Sequence, residues 1–152
     1  MNASQESEFR DALQLLETCL ETPRVSGELE RWIAELHRNV AVIGTLLPRQ
    51  IARQHAARLR QIAAEDPGLN GEVERLKSGD DDTQAQFDKL RDWSNRLATK
   101  ASRIEPDESK LEEELVALTA LGLEFVIHAR KQEIALDTWQ QEAIYRETGG
   151  SG

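Results

Sequence analysis

Residues 69–104 read LNGEVERLKSGDDDTQAQFDKLRDWSNRLATKASRI, and their spacing decides the fold. Leu69, Val73, Leu76, Asp80, Thr83, Phe87, Leu90, Ser94, Leu97, Ala101 and Ile104 recur at alternating spacings of four and three. That is one stripe of an α-helix. The cluster Ser78-Gly-Asp-Asp-Asp82 has the composition of a loop, with a glycine and three acids as helix breakers. The stripe nevertheless crosses it without a slip. Two helices could meet there collinearly, but the unbroken register favours one long helix with a polar patch at its centre.

The rest of the chain follows the same period, and nothing alternates with period two. Phe9, Leu13, Leu16 and Leu20 mark a helix over about 5–22, stopped by Pro23. Leu29, Ile33, Leu36, Val40, Ile43 and Leu47 mark a second, with Ser26 as its expected N-cap. Ile51, His55, Leu59 and Ile62 carry that stripe past Pro48, so the expectation is one kinked helix over 27–65. After the helix at 69–104, Asp107 is the expected N-cap of a fourth at 107–146, with Leu111, Leu115, Leu118, Leu121, Phe125, His128, Leu136 and Trp139 on its stripe. Its length suggests an end that protrudes, with a flexible tail at 147–152. Four amphipathic helices with short connections bury their stripes most simply as an all-α, up-down antiparallel four-helix bundle. No boundary or repeat divides the chain, so residues 1–152 read as a single helical domain.

Composition narrows the function classes. Apolar residues are 39%, and no run approaches the length of a membrane span. The acidic start, Met1-Asn-Ala-Ser-Gln-Glu-Ser-Glu, lacks the apolar run of a signal peptide, so a cytoplasmic location is expected. A net charge of −9 argues against a general binder of nucleic acid or anionic membrane. The lone Cys19 excludes an internal disulfide and any cysteine-based metal site, and its apolar neighbours read as burial. Trp32, Trp93 and Trp139 sit beside the stripes and read as core. No phosphate loop, nucleophile elbow or His-Glu-x-x-His motif occurs.

Three features break the bland pattern. His55 and His128 fall on apolar stripes, where a satisfied core histidine is the ordinary reading and a shared metal the sharper one. His37 lies 18 residues from His55, about 27 Å along one helix, so the two cannot share an ion. Asp80 stands on the stripe of the third helix, where a carboxylate is costly to bury unless paired. Water, an arginine from residues 49–60 or a metal would each resolve it. Finally, Arg38, Arg49, Arg53, Arg58 and Arg60 lie between Leu36 and Ala64 with no acid among them, leaving −14 elsewhere. Glu105, Asp107, Glu108, Glu112, Glu113 and Glu114 form an opposing acidic run. Pairing between helices is the plain reading, and an anion or acidic-partner site the alternative.

Order and spacing over nearly the whole chain resemble the hemerythrin-like family of four-helix bundles. The stretches that carry the likeness are Phe9-Arg-Asp-Ala-Leu-Gln-Leu-Leu-Glu, Asp66-Pro-Gly-Leu-Asn-Gly-Glu-Val-Glu-Arg-Leu and Phe125-Val-Ile-His-Ala-Arg-Lys-Gln-Glu. The resemblance implies a di-iron centre held by a histidine on helix one, His-x3-Glu on helix two, His-x3-His on helix three and His-x4-Asp or Glu on helix four. Only the last is present, as His128-x4-Glu133; helix one has no histidine, helix two offers Gln50-x3-Gln54 or His55-x3-Leu59, and helix three offers Asp80-x3-Gln84. The expectation is therefore a non-enzymatic bundle that has lost its metal centre, with Gln50, Gln54, His55 and Asp80 as polar remnants in its core. It would serve as a binding or scaffold module for an unidentified protein partner, as a monomer or weak homodimer. The alternative is a reduced iron site built from His55, Asp80, His128 and Glu133, sensing oxygen, nitric oxide or redox state.

Overall fold

The computed structural model describes residues 2–103 and 107–148, so the expectations for Ile104, Glu105 and residues 149–152 lie outside the described residues. All elements are helical: α1 (Asn2–Glu21), α2 (Leu29–Arg49), a π-helical segment (Gln50–His55), α3 (Ala56–Glu65), a short 3₁₀ turn (Pro67–Leu69), α4 (Asn70–Ala101) and α5 (Glu108–Thr148). No strand occurs among the described residues. Since α2, the π segment and α3 follow one another directly, the chain makes four rods.

Facing residues run in opposite senses on neighbouring rods. Gln54 bonds Gln5 at one end of α1 and Trp32 donates to the Thr22 carbonyl just past the other; His37 bonds Asn95 and His55 bonds Asp80 on α4; and Lys100 pairs with Glu114 while Gln132 bonds Asp80. The α3 end of the second rod runs alongside α5 in the same sense, with His55 on Glu133, Arg58 on Asp137 and Gln61 on Gln140.

The helix through Ser78–Asp82 is unbroken. Four local expectations change. The second rod starts at Leu29 rather than after Ser26; Gly27 takes φ 87°, and Ser26 instead donates to Glu108 Oε2. Pro48 is followed by a π turn and not by a simple kink. Proline has no N–H to give the Gly44 carbonyl; the wider turn itself begins two residues later, at Gln50. The extra residue of the π turn brings Gln50, Gln54 and His55 to the interior together and leaves Ile51 half-buried. Helix α5 continues through Thr148, so residues 147–148 are helix and not tail. Its end does not protrude: Ala143 is fully buried, and Arg146 pairs with Asp66 at the α3 terminus. Asp107 does cap α5, its Oδ1 accepting from the N–H groups of Ser109 and Lys110.

The apolar interior falls into two clusters on the same rods. The larger includes Phe9, Leu13, Leu16, Ile33, Leu36, Leu47, Phe87, Leu90, Leu115 and Phe125. The smaller comprises Leu59, Ile62, Leu69, Val73, Leu76, Leu136 and Ala143. Along the second rod and α4 the buried residues between them are polar, and α5 carries the half-buried Gln132 and Glu133 there. Trp32 is buried in the larger cluster, Trp93 packs at its edge, and Trp139 packs on the smaller one.

A candidate site in the buried polar layer

The layer between the clusters is built from one turn of each of three rods. Gln50, Gln54 and His55 come from the π segment, Asp80 and Thr83 from α4, and His128, Gln132 and Glu133 from α5. Asp80 is 5% exposed and His55 3%, so each must find partners inside the protein.

They find each other. His55 Nδ1 lies 2.8 Å from Asp80 Oδ1, and its Nε2 lies 2.5 Å from Glu133 Oε1. A carboxylate only accepts, so both ring nitrogens carry protons and the ring is an imidazolium. Burial alone pushes the ring's pKa down, but the hydrogen bonds and charges of Asp80 and Glu133 outweigh it and lift the pKa from 6.5 to about 9. Gln50 Nε2 donates to the same Glu133 oxygen at 3.2 Å, and Gln132 Nε2 donates to Asp80 Oδ1 at 3.1 Å and to the Leu76 carbonyl at 2.9 Å. Arg58 closes the outer side: its Nη1 is 4.0 Å from Glu133 Oε2 and 3.8 Å from Glu6 Oε1, its Nε donates to Gln140 at 2.7 Å, and Nη2 pairs with Asp137. Two carboxylates at the centre thus meet one imidazolium and one guanidinium.

Of the residues expected to converge, three do and one does not. His55, Asp80 and Glu133 form a single hydrogen-bonded unit. His128 turns its Nδ1 to Thr83 Oγ1 at 2.7 Å, and that hydroxyl also lies 2.8 Å from the Gly79 carbonyl. The cation beside Asp80 is a histidine, where water, arginine or a metal had been the options; the arginine of that stretch, Arg58, sits by Glu133 instead. Among the described residues, no group of three or more His, Cys, Asp and Glu side chains is arranged to hold a metal ion. The reason is chemical. The donor set is a single histidine between two carboxylates, each ring nitrogen at hydrogen-bond distance from a different oxygen, while His128 faces Thr83. The residues present do not fit the di-iron centre that the family resemblance implies.

Several participants carry no mark in the sequence. Gln132 passes for a surface residue beside Glu133, yet it is the second partner of Asp80. The one signal for it is Gly79: a Cβ there would stand 2.2 Å from Gln132 Oε1, so only glycine leaves room for that amide. Elsewhere His37 bonds Asn95 at 2.9 Å, and Cys19 is a half-buried free thiol whose pKa burial pushes up. Compared with known proteins, the chain matches no family model, no curated protein and no solved structure.

Proposed function

We propose that the chain is a hemerythrin-like, up-down antiparallel four-helix bundle that works without a metal centre, as a non-enzymatic binding or scaffold module. One observation carries this reading: both nitrogens of the buried His55 ring are committed to carboxylates, at 2.8 and 2.5 Å. A protonated ring supplies at mid-bundle the positive charge that a bound ion would otherwise bring to Asp80 and Glu133. Support for the topology comes from the opposed senses of α1 with α2, α2 with α4 and α4 with α5. The likeness to the family rests on the sequence stretches around Phe9, Asp66 and Phe125. Against catalysis stands the same commitment: a His–carboxylate pair can move a proton only if a ring nitrogen is open to substrate, and neither is.

The test is metal analysis of protein made in iron-rich medium, together with the nitrogen NMR signals of the His55 ring. The expected result is no stoichiometric iron or zinc, no visible absorption of an oxo-bridged centre, and an imidazolium signal at neutral pH. About one equivalent of iron, lost on His128→Ala, would overturn the reading and favour the oxygen, nitric oxide or redox sensor.

A further inference from the structure

The arginine segment is only partly used inside the molecule. Arg58 is drawn inward to Glu133, Glu6 and Asp137, and Arg38 pairs with Glu35 on its own helix. Among the described residues Arg49, Arg53 and Arg60 are exposed and make no ion pair, Arg49 lining a groove with Gln5 and Glu8 of α1. With Arg38, Val42, Thr45, Ala57 and Ala64 they form one exposed line down the outside of the second rod, a basic stripe studded with small residues. On α4, Glu74, Ser78, Asp81, Ala85, Asp88 and Asp92 form a matching exposed line at spacings of four and three. Among the described residues its acids meet no residue of another helix; Glu74 reaches Lys77, and Asp88 reaches Arg91 and Gln84, all on α4 itself. The acidic line lies on the α2 side of α4, the side on which Asn95 bonds His37 and Arg91 approaches Gly44.

The two stripes are also level with one another. His37 beside Asn95 and His55 beside Asp80 fix the heights of the rods. Within about one helical turn, Arg38 then stands at the height of Asp92, Arg53 at that of Asp81 and Arg60 at that of Glu74, with Arg49 between Asp81 and Asp88. A twofold axis parallel to the rods sets the second rod of one copy against α4 of the other and preserves every height. Each basic stripe then meets the other copy's acidic stripe in register, twice over by symmetry.

We propose that this α2–α3/α4 face is a self-association surface whose occupant is a second copy of the chain. An unrelated acidic partner on the basic stripe would be repelled by the acids one helix away, and so would a nucleic acid or an anionic membrane. The face is two helices wide and about 33 Å long from Arg38 to Arg60, roughly 650 Å² per copy. The doubled figure reaches the range of specific interfaces. The local pairs of Arg38, Glu74 and Asp88 are exposed and weak, so they exchange for intermolecular ones at little cost. This inference stands apart from the reading of the His55 layer.

Sedimentation velocity tests it with two charge-reversed chains. One carries Arg49→Glu, Arg53→Glu and Arg60→Glu; the other carries Asp81→Arg, Asp88→Arg and Asp92→Arg. The wild-type chain is expected to dimerise in a concentration-dependent way. Each reversed chain alone, with helicity intact by circular dichroism, should show a dissociation constant at least about tenfold weaker. An equimolar mixture of the two should dimerise again, because all-acidic faces all-basic. A wild-type chain that stays monomeric, a reversed chain that dimerises as tightly as wild type, or a mixture that stays monomeric each overturns the proposal. Should a triple variant fail to fold, Arg53→Glu and Asp81→Arg alone make the same comparison.

Discussion

The imidazolium of His55 makes stability depend on pH over a defined window. Its pKa is about 9 in the folded chain against 6.5 for a free ring. The native state therefore holds a proton that the unfolded chain releases between those values. The stabilisation is fully present below pH 6.5, declines at up to about 1.4 kcal/mol per pH unit above it, and is gone once pH passes the folded value. A shift of that size corresponds to about 3 kcal/mol, a large share of the margin of an ordinary domain. Removing the ring should cost a similar amount at pH 6, since it strands Asp80 and Glu133 with side chains 7% and 21% exposed. Urea unfolding at pH 6, 7, 8, 9 and 10 measures both effects. Wild type should lose about 3 kcal/mol across the series, whereas His55→Gln should begin about 3 kcal/mol lower at pH 6 and lose far less. A wild-type curve without that decline, or a His55→Gln curve parallel to it, would refute the imidazolium.

Other consequences can be checked by the same unfolding measurements. Leu36→Ala, Leu90→Ala and Phe125→Ala each empty a fully buried site and should cost about 2–5 kcal/mol, while Glu113→Ala on the exposed face of α5 should stay within about 0.5 kcal/mol. Gly79→Ala should displace Gln132 from Asp80 and destabilise the wild type; in a Gln132→Ala background the same change should stabilise by about 1 kcal/mol, the helix preference of alanine over glycine. Arg24→Ala removes a two-pronged bond to Glu112, which holds that carboxyl below its usual pKa, and a guanidinium 5.3 Å above the Trp32 ring. It should cost about 1 kcal/mol, the Glu112 side chain being 45% exposed.

The helical rods were legible because their signal is redundant. The sequence stripe from Leu69 to Ile104 runs for ten spacings, so three acids and a glycine in its middle could not hide it. What the pattern could not carry was an extra residue in one turn. Hydrophobic spacing through Pro48 pointed to Ile51 as interior, and the π turn turned Gln50 and Gln54 inward instead. At the layer, the anomalous residues were visible one by one: Asp80 and His55 stand on apolar stripes and had to be satisfied somewhere. Their pairing was not, because it depends on the relative heights of three rods, which no single stripe encodes. Gln132 was illegible for a different reason. An amide one position before a carboxylate on a half-exposed face looks like solvent-facing helix until the neighbour that contacts it is known.

The layer also removes an ambiguity that stripes of leucine leave open. Apolar stripes with repeats of three and four nearly superimpose on themselves after a shift of one turn, so greasy rods alone are tolerant of sliding. Moving α4 by one turn past the second rod would set against His55 either Leu76, leaving a buried ring proton without an acceptor at a cost of about 1–3 kcal/mol or more for a charged donor, or Thr83, whose hydroxyl accepts but brings no opposing charge. Sliding α5 would do the same at Glu133. The three-residue lock of Asp80, His55 and Glu133 thus acts as an index pin, selecting one axial setting of the rods from several of nearly equal hydrophobic energy.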